Sequence, residues 1–185
     1  MRNGLFLDLD GTVVVPASGE KFAKDANDWK FVEGIIDRIK WCYDNGYLIF
    51  IVSNQSGIDA GYVREAEVNA RIEKIKEAIV EETGARPFFR FCSSNDTGHY
   101  QRKPNPGMAH YIAQRFNVCI PRSFMVGNGE GDAVFAANAG MGFIRTNAFL
   151  ELSDSDIKEL LNKSKTQYEV QRDTYLDFYF KQKVK

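Results

Sequence analysis

Short apolar runs alternate along this chain with segments whose apolar residues recur every three or four positions. Leu5 to Leu9, Tyr47 to Val52, Phe88 to Cys92, Ser123 to Val126 and Gly142 to Ile144 have the length and the branched or aromatic content of strands. Tyr47-Leu48-Ile49-Phe50-Ile51-Val52 is almost continuously apolar, as in a strand of a parallel sheet covered by helices on both faces. Between the runs, Val68, Ile72, Ile75 and Ile79 form a helical stripe that closes at Gly84, a C-terminal cap. Ile35, Ile36 and Ile39 predict a helix ending near Asn45-Gly46. Pro106 opens another through Met108, Ile112 and Phe116, and Asp132 caps a fourth that ends at Gly140. Strict strand–helix alternation predicts an α/β fold, a three-layer αβα sandwich on a parallel, Rossmann-like sheet. From Leu152 onward the pattern turns to charged helical segments carrying Ile157, Leu160, Leu161, Tyr168, Arg172, Tyr175, Leu176 and Tyr179. We therefore expect a domain over residues 1–150 and an appended C-terminal helical element over residues 151–185, packed on it.

Composition narrows the class. At 185 residues, with 44% hydrophobic and 26% charged positions, the chain is long enough for one core and too charged for a membrane bundle. No apolar run approaches the ~20 residues of a membrane helix, and Asp8 interrupts the first one, unlike a signal peptide. A net charge of −1 argues against gripping nucleic acid lengthwise but leaves a short charged substrate or a polymer end open. Three widely spaced cysteines, Cys42, Cys92 and Cys119, suggest neither a disulfide framework nor a zinc ribbon, so a reducing cytoplasm is the expected compartment.

In parallel sheets ligands bind beyond the carboxyl ends of the strands, where this chain places its chemistry. Asp8 and Asp10, two apart on the first run, face one side while Leu9 packs away. Two neighbouring acids raise one pKa unless a cation intervenes, and an all-oxygen donor set favours Mg²⁺.

Asp8-Leu9-Asp10-Gly11-Thr12 resembles the first motif of the haloacid dehalogenase (HAD) phosphatase superfamily. Ser53-Asn54-Gln55-Ser56-Gly57-Ile58 is similar to its second motif, Lys103 within Arg102-Lys103-Pro104 to its third, and Val126-Gly127-Asn128 with Asp132 to its fourth. The resemblance implies Asp8 as nucleophile, Asp10 as general acid and base, Ser53 and Lys103 as phosphoryl ligands, and Mg²⁺ on Asp8, Asp10, Asn128 and Asp132. Gly11, Thr12, Asn54, Gln55 and Arg102 would line the substrate. Asn128 departs from the pattern, since the superfamily usually has a metal-binding Asp there; an amide oxygen remains a legitimate ligand, and Asp132 or Glu130 could compensate.

The intervals Val13 to Lys30 and Asp59 to Gly98 are too short for a separate cap domain. Ser18-Gly19-Glu20-Lys21-Phe22 with Asp28-Trp29-Lys30, the Gln55 variant and His99-Tyr100-Gln101-Arg102-Lys103-Pro104 resemble the 3′-phosphatase domain of polynucleotide kinase/phosphatase. That implies removal of a 3′-phosphate from a polynucleotide end, with Trp29 stacking on a base or anchoring the loop and Arg102 on the backbone phosphates. The kinase's phosphate loop, Gly-x-x-x-x-Gly-Lys-Ser/Thr, does not occur in this sequence. The alternatives are a small-molecule phosphatase of the histidinol-phosphate or heptose-bisphosphate type, and a non-catalytic module that binds phosphorylated ends. Many of those small-molecule enzymes carry a Cys/His zinc loop, for which only Cys92 and His99 are available.

Overall fold

A computed structural model describes residues 1–159. The chain divides into a unit over Met1–Glu151 and a second over Leu152–Lys185. The first runs β1 (Gly4–Leu7), β2 (Val14–Val15), β3 (Lys30–Phe31), α1 (Ile35–Asp44), β4 (Leu48–Asn54), α2 (Glu65–Thr83), β5 (Phe88–Cys92), α3 (Gly107–Phe116), a 3₁₀ turn (Ile120–Arg122), β6 (Phe124–Gly127), α4 (Glu130–Ala139), β7 (Gly142–Arg145) and α5 (Thr146–Glu151). In the second, residues 154–159 are helical, with Ser153 as the cap exchanging hydrogen bonds with Asp156. The expected tail residues from Leu160 to Tyr179 lie outside the described residues.

Five parallel strands form the sheet in the order β5-β4-β1-β6-β7. β1 is central because all four of its residues are buried, and no polar side chain there needs water. From β1 the chain builds outward through β4 and β5, then returns to β1's other side for β6 and β7, so the switch point lies at the carboxyl end of β1. One face is filled by Phe6, Phe50, Val52 and Met125 against Met108, Ala109 and Ile112 of α3 and Phe135 and Ala136 of α4. The alternating residues Leu5, Leu7, Ile49 and Ile51 are also buried and point to the opposite face, where α1 packs on β4, α2 and α5. This is the predicted αβα sandwich.

Three departures bear on the site. β1 ends at Leu7, two residues before the apolar run does, because Gly11 takes a left-handed φ of 83° and its N–H bonds back to Val14 O, turning the chain out of the sheet. β4 extends past Val52 to Asn54, carrying Ser53 into the ladder. The stretch from Val13 to Lys30 is not only loop: β2 and β3 pair antiparallel at its two ends.

Candidate active site

Four of the five sheet strands, or the loops just beyond them, deliver side chains to one place. Lys103, 7% exposed, reaches in from the loop before α3 and donates to Asp8 Oδ1 (2.6 Å), Asp132 Oδ1 (2.7 Å) and Val52 O (2.9 Å). Its three N–H bonds are thus all used. Burial works against its charge, but Asp8 and Asp132 outweigh that and hold its pKa above the ordinary lysine value. Burial pushes the Asp8 carboxyl above the usual carboxylate range; Lys103 opposes the rise, while Asp132 and Asp10 add to it. One lysine shared by two buried carboxylates leaves an unbalanced negative charge.

The structure gives Asp132 a different place from the one expected. It is not the cap of α4 but its third residue, with Oδ2 accepting the N–H of the capping Gly129 (3.1 Å) and Oδ1 on Lys103. One oxygen thus faces the lysine that Asp132 shares with Asp8, and the other faces the helix end. Gly127 makes the approach possible, since any side chain there would collide with Asp132.

Asn54 also differs. Its amide clamps the Lys103 peptide in both directions, Nδ2 donating to Lys103 O (2.8 Å) and Oδ1 accepting from Lys103 N (2.9 Å). Gln55 Nε2 donates to Ser53 Oγ (2.7 Å) and to Asp10 Oδ2 (2.9 Å), tying the second motif to the first. The Thr12 hydroxyl is buried and shared with Thr146 (2.9 Å), so it fastens the turn after β1 to α5. Arg102 donates to Ser94 O (2.7 Å) within its own loop, and Trp29 packs edge-on against Phe31 (5.3 Å), the loop-anchoring alternative. Cys92 and His99 approach each other, Sγ to Nδ1, at 3.4 Å.

Sequence reasoning missed Arg71 on α2, whose Nη2 donates to Asp10 Oδ1 (2.7 Å), and Arg145, which bonds Glu130 Oε2 (3.2 Å) and Asn128 O (3.4 Å). Arg71 had one signal: it falls three residues after Val68, inside the apolar stripe.

The resemblance of the motifs implies a divalent cation, and the oxygen donors here fit one. No cluster of three or more His, Cys, Asp or Glu able to hold a metal occurs among the described residues. Mg²⁺, however, keeps several waters and needs only one or two carboxylates. Asp8 and the Asp10 carbonyl lie just beyond β1, where the negative charge is uncompensated, and Asn128 Nδ2 donates to that carbonyl at 3.3 Å, so the Asn128 oxygen would join a cation there once its amide turns over.

A parallel sheet with this lysine–carboxylate cluster at its switch point defines a phosphatase of the HAD superfamily, a hydrolase of phosphoric monoesters, as the motifs led us to expect. Residues 5–158 match the family model described as polynucleotide kinase 3 phosphatase, and the chain belongs to that family. A D-glycero-beta-D-manno-heptose-1,7-bisphosphate 7-phosphatase of Helicobacter pylori strain J99 is 30% identical over 140 residues, covering 75% of this chain and 79% of that protein. An uncharacterised 20.8 kDa protein of Autographa californica nuclear polyhedrosis virus is 29% identical over 160 residues, 78% of this chain and 84% of its own. Among solved structures, the D,D-heptose 1,7-bisphosphate phosphatase of B. bronchiseptica, complexed with magnesium and phosphate, superposes with a TM-score of 0.67 at 29% identity, covering 76% of this chain and 78% of that one. No helix among the described residues is long and apolar enough to cross a membrane, and the three cysteines are buried and form no disulfide.

Proposed function

We propose that this chain is a Mg²⁺-dependent phosphomonoesterase that works through an aspartyl phosphate on Asp8, and that its substrate is a small phosphorylated sugar of the heptose-bisphosphate kind. The observation that carries the chemistry is the shared lysine. Lys103 fixes one Asp8 oxygen at 2.6 Å, leaving the other to attack phosphorus in line. Ser53 Oγ accepts from Gln55, which frees its own O–H to donate to a phosphoryl oxygen. Asp132 acts through Lys103, as a positioning residue. Asp8, the Asp10 carbonyl and Asn128 would hold Mg²⁺, which would supply Lewis-acid neutralisation of the phosphoryl oxygens.

Asp8 is nearly buried whereas the Asp10 carboxylate is 48% exposed, so the nucleophile lies at the floor and the acid at the mouth, where the alcohol departs. Asp10 gives its proton to the leaving oxygen as the Asp8–phosphorus bond forms and the ester bond breaks. It then takes a proton from the water that cleaves the aspartyl phosphate. Proton transfer contributes about 10²–10⁴-fold, against accelerations up to ~10²¹ for such esters. Stabilisation of charge on the phosphoryl group, by the Ser53 hydroxyl and the nearby positive charge of Lys103 and by the cation that would bind beside them, would therefore carry most of the rate.

The sugar reading is supported by relatives similar over three quarters of both chains. The polynucleotide 3′-end reading is supported by the family match over residues 5–158 and by the loop at Ser18, where Phe22 stands 73% exposed. Phosphate release from heptose and other sugar bisphosphates, 3′-phosphorylated oligonucleotides and 5′-phosphorylated oligonucleotides separates them, with Asp8→Asn as the inactive control. We expect the highest kcat/KM on a sugar bisphosphate; a preference for 3′-phosphorylated oligonucleotides would reverse the assignment.

A further inference from the structure

We propose that Arg71 is the residue that positions Asp10 for proton transfer, an inference that rests on the reading of Asp10 as the acid and base. Arg71 lies on α2, between the second and third motifs, with a side chain only 12% exposed. A cation on a two-faced helix ordinarily reaches water; this one is folded inward, and its Nε is buried without a hydrogen-bond partner. Leaving a buried guanidinium N–H unsatisfied is unfavourable, so the side chain is held there by what its other end does. Nη2 donates to Asp10 Oδ1 at 2.7 Å.

Gln55 takes the other oxygen, Oδ2, at 2.9 Å. With one donor on each oxygen the plane of the carboxylate is fixed, and the remaining lone pairs stay open toward the mouth. Without Arg71, Gln55 alone leaves a half-exposed carboxylate free to rotate about its Cβ–Cγ bond. One turn further along the same helix, Lys74 bonds Asn27 of the loop after the first motif, so α2 is tied to the strand-end region at two successive turns. Misplacement of an acid by even an ångström is costly in rate, because proton transfer requires hydrogen-bond reach to the leaving oxygen.

Leaving-group dependence reads this role directly. An alkyl phosphate needs a proton on its departing alkoxide, whereas p-nitrophenyl phosphate releases a stable phenolate that does not. Because kcat/KM covers steps through ester cleavage, it reports that proton and not the later attack of water. For Arg71→Met we expect kcat/KM on an alkyl phosphate to fall about 10–100-fold, part of the whole general-acid contribution. On p-nitrophenyl phosphate we expect a loss of less than about threefold, and Arg71→Lys should recover part of the alkyl activity. If Arg71→Met does not fold, Arg71→Lys alone should show the same selective loss, only smaller. Equal losses on both esters, or no loss on either, would overturn the proposal. Asp10→Asn is the reference arm: selective loss there with none in the Arg71 variants rejects Arg71 alone, whereas no selectivity in Asp10→Asn rejects the acid reading and the proposal with it.

Discussion

Replacing Lys103 by Met tests the central cluster most severely. The substitution keeps a buried, unbranched side chain but removes the single cation between Asp8 and Asp132, whose side chains are 12% and 7% exposed. Breaking a buried ion pair by removing one partner costs about 3–5 kcal/mol, because the survivor stays buried without compensation. Here two carboxylates survive and repel each other, so we expect a loss at the upper end of that range at pH 8. The pair can lower this cost by binding a proton in the folded state, as burial already inclines Asp8 to do. The folded protein then holds a proton that the unfolded chain lacks, and stability falls as pH rises. The slope is about 1.4 kcal/mol per pH unit for a full proton. It begins near the unfolded carboxylate pKa of about 4 and ends at the raised folded value.

Urea unfolding followed by the fluorescence of Trp29 and Trp41, in EDTA and from pH 5 to pH 8, measures this against the wild-type slope. Lys103→Met should approach wild-type stability at pH 5 and diverge steadily above it. Adding Asp132→Asn should restore most of the loss at pH 8, since one buried charge is then gone, and this double variant serves if the single one does not fold. A pH-independent difference from wild type, or a deeper loss in the double variant, would refute the shared-lysine account.

Gly11→Ala should be damaging twice over: the residue sits at a φ of 83°, where an L side chain costs about 1–2 kcal/mol, and its methyl would displace the Asn128 amide. Melting temperature should fall and the Mg²⁺ needed for half-maximal activity should rise together. Asp28 accepts hydrogen bonds from Lys24 N and from the Ser18 hydroxyl and N–H, which hold its carboxyl below the usual range. That loop order is present above the unfolded pKa of about 3.9 and lost as pH falls through the lower folded value. Pepsin should therefore cut between Ser18 and Asp28 only in strong acid, while Asp28→Asn should admit trypsin at Lys21 and Lys24 even at neutral pH. Asn128→Asp should lower the Mg²⁺ requirement and raise KM for the phosphate ester, measured by varying both in one kinetic matrix.

What could be read without the structure followed from physics that is local in sequence. Apolar runs located all five sheet strands, because strands covered on both faces cannot hide polar residues, and Gly84 and Gly140 marked helix ends by their left-handed geometry. β2 and β3 were not legible, since two residues apiece show no periodicity. At the site, residue identities were legible while their partners were not. Asn54 clamps a peptide 49 positions away and Asp132 meets a lysine 29 positions away, pairings set by strand order and not by spacing. Arg71 was hidden for a different reason. A charged residue on a helix is ordinarily solvated, and only the tertiary approach of Asp10 makes it part of the site.

The charges around the end of β1 explain why Asn128→Asp should move the two constants in opposite directions. Before Asp10 takes up the proton it later donates, Asp8, Asp10 and Asp132 oppose Lys103 and Arg71, so the ion-paired cluster carries one net negative charge. A divalent cation turns that to one net positive charge, which attracts a phosphate ester dianion. An aspartate at position 128 would make the cluster doubly negative, improving the cation's affinity and leaving the loaded site neutral toward the dianion. On that balance Asn128 would favour substrate over metal, while Gln55 and Arg71, bound to Asp10, keep its exposed carboxylate from facing an incoming phosphate unopposed. If instead Asp at 128 tightened both Mg²⁺ and ester, net charge would not govern substrate affinity here, and Asn128 would have to act through the geometry of its bond to the Asp10 carbonyl.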